Sequence, residues 1–318
     1  LGWTVNVDGY TRLNLWDLER ERAITPPAVD GLVGGFSFSD EGTVAFDFSS
    51  AVSTDDIWVW DWNAPELRKM THSTYAGVDP STFSAPELVR YKSFDGLMIP
   101  AFLYLPPSYR PGHPVPFVIH MHGGPEAQFQ PAFVRHFQYL LLNGYGILAP
   151  NVRGSSGYGK AFLDMDNYKK RLDSVKDLAW GVKHLIREGL AEPGRVGVKG
   201  GSYGGYMTLA AMTEFPDLFA AGIDEVGIAN FETFLANTAA YRRGVRAAEY
   251  GAPEDSLFLR SISPIHKADR IRGALLVVHG ENDPRVPVSE ARQLLRAVSS
   301  RGTPVDSLIF PDAGHGVS

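Results

Sequence analysis

The chain has 318 residues, of which 44% are apolar and 21% charged, and its formal net charge is −6. That balance is ordinary for a globular chain and argues against a nucleic-acid footprint, which needs Lys and Arg clustered on one surface. Cysteine is absent, which excludes a disulfide, a zinc–thiolate site and a cysteine nucleophile, and fits a reducing, cytoplasmic setting. No apolar run approaches the roughly 18 residues that cross a bilayer, so no membrane partner is expected.

From Leu1 to about Met70 the grammar is that of short strands broken by turns. Thr4 to Val7 and Arg12 to Trp16 flank Asp8-Gly9, which reads as a hairpin. Phe36 to Ser39 and Val44 to Phe48 flank Asp40-Glu41-Gly42 in the same way, and Ile57 to Trp62 is a third aromatic, β-prone run. Asp and aromatic residues at the strand ends suit a blade of a β-propeller, although any antiparallel sheet would give a similar pattern. Tyr75 to Pro86 is rich in Pro, Ser, Thr and Gly and reads as a linker.

Beyond the linker the pattern changes. Val115 to Met121, Gly146 to Val152, Arg195 to Lys199, Ala220 to Val226, Ala274 to His279 and Ser307 to Phe310 are compact apolar runs with helical segments between most of them. Alternating strands and helices imply a largely parallel sheet covered on both faces. Val175, Leu178, Ala179, Val182, Leu185 and Ile186 form one helical stripe, with Ser174 and Asp177 as a capping pair and Gly189 as the stop. Ala291, Leu294, Leu295 and Val298 form another, with Ser289 before it and Gly302 after it.

Gly200-Gly201-Ser202-Tyr203-Gly204 fits G-x-S-x-G. The pentapeptide alone is a weak signal. Its context is stronger, because it follows the strand Val196-Gly197-Val198 and opens an apolar helix from Met207 to Met212. A turn that tight holds its serine at strained angles, with the hydroxyl over the end of the sheet. Serine is a poor nucleophile near neutral pH and needs a base, which in turn needs an orienting acid. Along an α/β-hydrolase chain the order is Ser, then acid, then His. Asp283 follows the strand Ala274 to His279, and His315 follows Ser307 to Phe310, so both fall at carboxyl ends of strands, where open α/β sheets bind ligands. Ser202 is therefore the expected nucleophile, His315 the base and Asp283 the orienting acid. The oxyanion would meet two backbone amides, that of Tyr203 and one from the glycine loop His122-Gly123-Gly124-Pro125.

Five segments then fall into a recognisable order. They are His-Gly-Gly-Pro (122–125), Asn-Val-Arg-Gly-Ser-Ser-Gly-Tyr-Gly (151–159), Gly-Gly-Ser-Tyr-Gly-Gly-Tyr (200–206), Asn-Asp-Pro-Arg-Val-Pro (282–287) and Gly-His-Gly (314–316). Together they resemble the prolyl oligopeptidase family of serine peptidases, and the His-Gly-Gly-Pro form is most similar to its acylaminoacyl-peptidase branch. The resemblance runs from about Leu88 onward, and the gaps agree: 283 − 202 gives 81 residues from Ser to Asp, and 315 − 283 gives 32 from Asp to His. It implies the C-terminal part of a β-propeller over 1–74, a linker over 75–86 and an α/β-hydrolase catalytic domain over 87–318. It also implies cleavage of short peptides, and Gly124 and Tyr203 as the oxyanion donors. The family pattern holds a complete propeller and a helix after the histidine, so the chain is expected to be a fragment of a longer protein. Arg153 sits in the family's glycine loop, read as shaping the substrate site, and is a candidate substrate-binding residue.

Phe231 and Phe234 follow a strand near the site and are candidates for the pocket that takes the residue before the cut bond, with a plain core role equally open. Arg242, Arg243 and Arg246 read as a solvated helix face, with the guiding of peptide carboxylates as the lesser alternative. No cofactor is expected, and no His or carboxylate spacing suggests a metal. The expected partners are short peptides, with no nucleic acid, and a homo-oligomer is left open. The reaction expected is acyl-enzyme hydrolysis of short peptides, of acylaminoacyl-peptidase or oligopeptidase type. A carboxylesterase with the same triad, or dipeptidyl-peptidase specificity, is the alternative.

Overall fold

A computed structural model describes every residue except Ala239, Arg301 and Ser318. The chain divides into two compact units, one of residues 1–87, 104–108 and 130–144, the other of 88–103, 109–129 and 145–318.

The first unit opens with a three-stranded antiparallel sheet of β1 (Gly2–Val7), β2 (Tyr10–Asp17) and β3 (Arg22–Ile24). Asp8 and Gly9 both take positive φ, 52° and 90°, as a twist-matched two-residue hairpin turn requires. A four-stranded antiparallel sheet follows, made of β4 (Leu32–Phe38), β5 (Thr43–Ser50), β6 (Ser53–Asp61) and β7 (Ala64–Lys69). Leu15, Val33, Val44, Phe46 and Trp60 form the buried core of these strands. The unit also contains helix α1 (Arg135–Leu142). Its buried Gln138 donates to the carbonyls of Ala51 and Ser84 and accepts from the Ser84 amide, so the amide side chain is matched on both ends.

The second unit is built on an eight-stranded sheet in the order β15-β14-β13-β12-β10-β11-β9-β8. Its strands are β8 (Glu87–Lys92), β9 (Met98–Tyr104), β10 (Val115–Met121), β11 (Gly146–Pro150), β12 (Ala191–Gly201), β13 (Ala221–Glu225), β14 (Ala274–Gly280) and β15 (Val305–Phe310). The pairings from β11 through β10, β12, β13 and β14 to β15 are all parallel, giving the mostly parallel sheet expected from the sequence. β8 and β9 extend it beyond the six expected strands. The edge strand β8 carries Glu87, Arg90 and Lys92, and Pro100 interrupts β9, so neither reads as a clean apolar run.

The helices of this unit are α2 (Lys160–Leu163), α3 (Arg171–Arg187), α4 (Tyr203–Glu214), α5 (Phe231–Asn237), α6 (Ala240–Tyr250), α7 (Ser256–Ile262) and α8 (Ser289–Ser299). α4 is buried on nearly all sides, from Tyr203 through Thr213, which fits a helix enclosed by the core rather than one with a wet face.

The expected capping pair at Ser174 and Asp177 is corrected. α3 begins at Arg171, about a turn earlier, after a 3-10 turn over Tyr168–Lys170. Ser174 lies inside the helix and donates to the Arg171 carbonyl at 2.8 Å, while Asp177 accepts from Ser93 and Arg153. The apolar stripe missed the first turn because a fully buried arginine, Arg171, occupies its core position. Ser289 likewise opens α8 rather than capping it, and Val288 holds the cap position without a side-chain bond. No helix among the described residues is long and apolar enough to cross a membrane.

Candidate active site

Sheet register explains how segments far apart in sequence meet. β10 pairs in parallel with β12, Met121 opposite Gly200, so the loop after one strand and the turn after the other emerge side by side. β14 pairs with β15, Gly280 opposite Phe310, so the loops holding Asp283 and His315 also emerge together.

Ser202 forms the turn between β12 and α4 at φ 59° and ψ −117°, the strained conformation expected of a nucleophile elbow. Two glycines make the turn sterically feasible. A side chain on Gly200 would bring Cβ to 2.4 Å from the Gly204 carbonyl, and one on Gly204 would meet the Met121 carbonyl at 2.3 Å. The Ser202 amide donates to the Glu225 carbonyl at 2.8 Å, fixing the elbow to the end of β13. Amide groups of α4 then point toward the serine from the helix N-terminus.

His315 Nδ1 donates to Asp283 Oδ2 at 2.7 Å. The other oxygen of Asp283 accepts the amides of Arg285 at 2.8 Å and Val286 at 3.0 Å, so the carboxylate is held by its own loop. Burial is the largest influence on Asp283 and pushes its pKa up. The bonds from His315, Val286 and Arg285 outweigh burial and leave the pKa below the ordinary value. An ionised Asp283 can only accept, so Nδ1 of the neutral ring carries the proton and Nε2 presents a lone pair. Beneath them, the fully buried His279 donates from Nε2 to the Val286 carbonyl at 2.9 Å, anchoring the Asp283 loop.

Ser202 and His315 border one cavity of about 310 Å³, together with Gly123, Gly124, Tyr203, Ile228, Phe234, Arg246, Tyr250, Arg285 and Val286. Gly124 sits at φ 129°, outside the range of ordinary side chains, and a Cβ on Gly123 would lie 3.6 Å from that of Ser202. His122 supports this loop. Its Nδ1 donates to the Gly123 carbonyl at 2.7 Å, and Nε2 lies 2.9 Å from Ser155 Oγ. Tyr203 is pinned through its hydroxyl, which takes a hydrogen bond from Arg171 at 2.9 Å and donates to Asp166 at 3.2 Å.

The structure separates the three candidate substrate contacts. Phe234 borders the cavity. Phe231 does not; it is fully buried behind, against Tyr206 and Tyr250, with ring centroids 4.9 and 4.8 Å away. Arg153 is corrected to a structural role. Its guanidinium bonds Asp95 at 2.9 and 3.0 Å and Asp177 at 2.9 Å twice, and lies over the Phe94 ring. With four of its five guanidinium donors bonded to Asp95 and Asp177 and 5% exposure, it holds the glycine loop to α3.

Arg246 is the opposite case. Expected on a solvated face, it borders the cavity and pairs with Glu249 at 3.0 Å. The side chains of Arg242 and Arg243 lie outside the described residues. The reading from sequence also missed Ile228, Tyr250, Arg285 and Val286 as cavity walls. Of these, Arg285 and Val286 carried a signal, since they lie two and three residues after Asp283 in the same loop. Among the described residues, no group of three or more His, Asp or Glu is arranged to hold a metal.

Comparison with known proteins bears on this arrangement. The sequence model of the prolyl oligopeptidase family matches residues 131–318. The dipeptidyl aminopeptidase BIII of Pseudoxanthomonas mexicana is 34% identical over 287 residues, covering 82% of this chain and 42% of that protein. The acylamino-acid-releasing enzyme of Arabidopsis thaliana is 33% identical over 208 residues, 63% of this chain and 27% of that one. Among solved structures, the acylaminoacyl peptidase of Pyrococcus horikoshii superposes with a TM-score of 0.85 at 27% identity, covering 99% of this chain and 50% of its own. The chain thus spans about two-fifths of the length of the first curated relatives it matches.

Proposed function

The chain belongs to the prolyl oligopeptidase family, and on that footing we propose that it hydrolyses short peptides through an acyl-enzyme formed on Ser202. The hydroxyl attacks the peptide carbonyl while His315 Nε2 takes its proton. Asp283 keeps the ring in the required tautomer and stabilises the imidazolium that forms. The amides of Gly124 and Tyr203 hold the developing oxyanion, each worth about 3 kcal/mol of barrier. His315 then passes the proton to the leaving amine, and the bond to nitrogen breaks. Water, deprotonated by the same ring, releases the acid and restores the serine.

The observation that carries this reading is the 2.7 Å bond from His315 to Asp283, on a ring that borders the same cavity as a serine at φ 59°. The names of the relatives, a dipeptidyl aminopeptidase and an acylamino-acid-releasing enzyme, support peptides as the substrate class. The proposal extends to organisation: 1–74 as the end of a β-propeller, 75–86 as the linker and 87–318 as the catalytic domain. The four-stranded antiparallel sheet β4–β7 has the make-up of one blade and supports this. A propeller would keep folded proteins from the site, which is why the substrates proposed are short.

The test is hydrolysis of N-acetyl-alanyl and alanyl-alanyl p-nitroanilides by the protein and by Ser202→Ala. The variant should lose at least about 10³-fold in kcat. Retention of a tenth or more of the wild-type rate, with normal folding, overturns the assignment. The ratio of the two substrates sorts N-acyl from dipeptidyl specificity.

A further inference from the structure

We propose that Arg246 makes this cavity select an acidic side chain, aspartate or glutamate, on the residue whose carbonyl is attacked. The inference rests on the peptidase reading above and adds the substrate class.

The charged side chains on the cavity wall are basic: Arg246 and Arg285, with His315 beside them, and no carboxylate is among the lining residues. This is not a general property of the chain, whose net charge is −6. Arg246 is held for recognition. It approaches from α6 with its side chain 16% exposed, donating from Nη1 to Glu249 Oε2 at 3.0 Å and to the Tyr250 hydroxyl at 3.3 Å. Both bonds use the same nitrogen. Among the described residues nothing takes the donors on Nη2 and Nε, the edge of the guanidinium that binds a carboxylate through two parallel hydrogen bonds.

Glu249 neutralises Arg246 only in part. Burial pushes its pKa up to about 7, against the pull of Arg171 and Arg246. Arg285 is exposed, and no described carboxylate pairs with its guanidinium. The remaining walls, Phe234, Ile228, Val286 and the Tyr250 ring, are apolar and suit the methylene stem of a glutamyl side chain. They also lower the local dielectric, which strengthens a charge-assisted bond at the far end. A cavity of about 310 Å³ has room for such a side chain.

The test compares kcat/KM for N-acetyl-alanyl-glutamyl and N-acetyl-alanyl-glutaminyl p-nitroanilides. Their leaving group has no carboxylate, so a preference can arise only on the acyl side. The full chain should favour the glutamyl substrate by about tenfold or more. In Arg246→Met combined with Glu249→Gln, which leaves no buried carboxylate unpaired, the ratio should fall to about one. A measurement independent of any variant's folding is product inhibition. N-acetyl-glutamate should inhibit about tenfold better than N-acetyl-glutamine.

Equal rates and equal inhibition overturn the proposal while leaving the peptidase reading intact, as does a glutamyl preference that survives the double substitution in folded protein. If the preference is instead for a free carboxylate on the leaving side, seen as faster cleavage of N-acetyl-alanyl-alanine than of its amide, the arginine reads a chain terminus and the proposal falls. Absence of any Ser202-dependent hydrolysis removes the peptidase reading and this inference with it.

Discussion

Replacing Asp224 by asparagine should stabilise the protein in alkaline solution and not in acid. Asp224 is the penultimate residue of β13, beside the elbow, and is 1% exposed. Its carboxylate has no well-formed hydrogen-bond partner on either oxygen, and Oδ1 would lie 2.4 Å from a Cβ on Gly205 and 2.0 Å from one on Gly227. Burial pushes its pKa up to about 7. The Gly227 amide opposes this, and Glu225 and Glu290 add to it. The folded state therefore holds the neutral acid. Below the ordinary value of 3.8 both folded and unfolded chains are protonated and nothing is lost. Between 3.8 and about 7 the unfolded chain ionises first, so stability falls as pH rises. The difference is about 3 pKa units, and at about 1.4 kcal/mol per unit the loss is on the order of 4 kcal/mol above neutral pH. Asparagine has the same shape and no charge. Its amide will leave donors unsatisfied at a cost of about 1–3 kcal/mol, but that cost is the same at every pH. The slope is thus the diagnostic. Thermal midpoints of the two proteins, measured pairwise across about pH 4.5 to 8.5, should diverge in favour of the variant as pH rises. A difference that stays flat over that range refutes the argument.

Three other outcomes follow from the geometry. Asp283→Asn should lower kcat on a peptide anilide by about 10⁴-fold without changing the fold, because the amide favours the wrong imidazole tautomer; a loss under tenfold would detach Asp283 from His315. Arg153→Met should destabilise by about 3–5 kcal/mol, read from urea midpoints, since it strands the fully buried Asp177 carboxylate; an unchanged midpoint contradicts the structural role given to it. Burial lowers the pKa of His122 to about 4 against the pull of its bond to Gly123, so the folded ring stays neutral; its stabilising effect is complete above 6.5 and fades as pH falls toward 4. Its ring proton resonances should therefore not move as pH falls from about 8 to about 5.5, and a midpoint near 6.5 would show that the ring is solvated.

The pairing of His315 with Asp283, and their place beside Ser202 at one cavity, were legible because order along the chain and position at strand ends are both properties of sequence. Ser202 follows an apolar strand, and Asp283 and His315 each follow another, so a parallel sheet brings them to one edge. Gly200 and Gly204 were legible for the same reason, since backbone closeness there tolerates nothing larger. The walls of the cavity were not. Arg153 and Arg246 are both arginines in polar surroundings, and nothing local distinguishes one that spends its donors on Asp95 and Asp177 from one that faces a cavity. Burial of a charge depends on partners distant in sequence: Arg171 is reached by Asp166 through a short ion pair and by the Glu249 carbonyl, 78 residues away. The same long-range pairing hid the first turn of α3. Phe231 and Phe234 differ by a single helical turn, and only the packing of Tyr206 and Tyr250 decides which one meets the cavity.

The most direct measurement of the central claim is covalent. A fluorophosphonate mimics the tetrahedral intermediate and reacts only with a serine activated by its neighbours. After brief exposure and proteolytic digestion, the adduct mass should sit on the peptide containing Ser202, and Asp283→Asn should slow its appearance. An adduct on another residue, or none on correctly folded protein, would contradict the account.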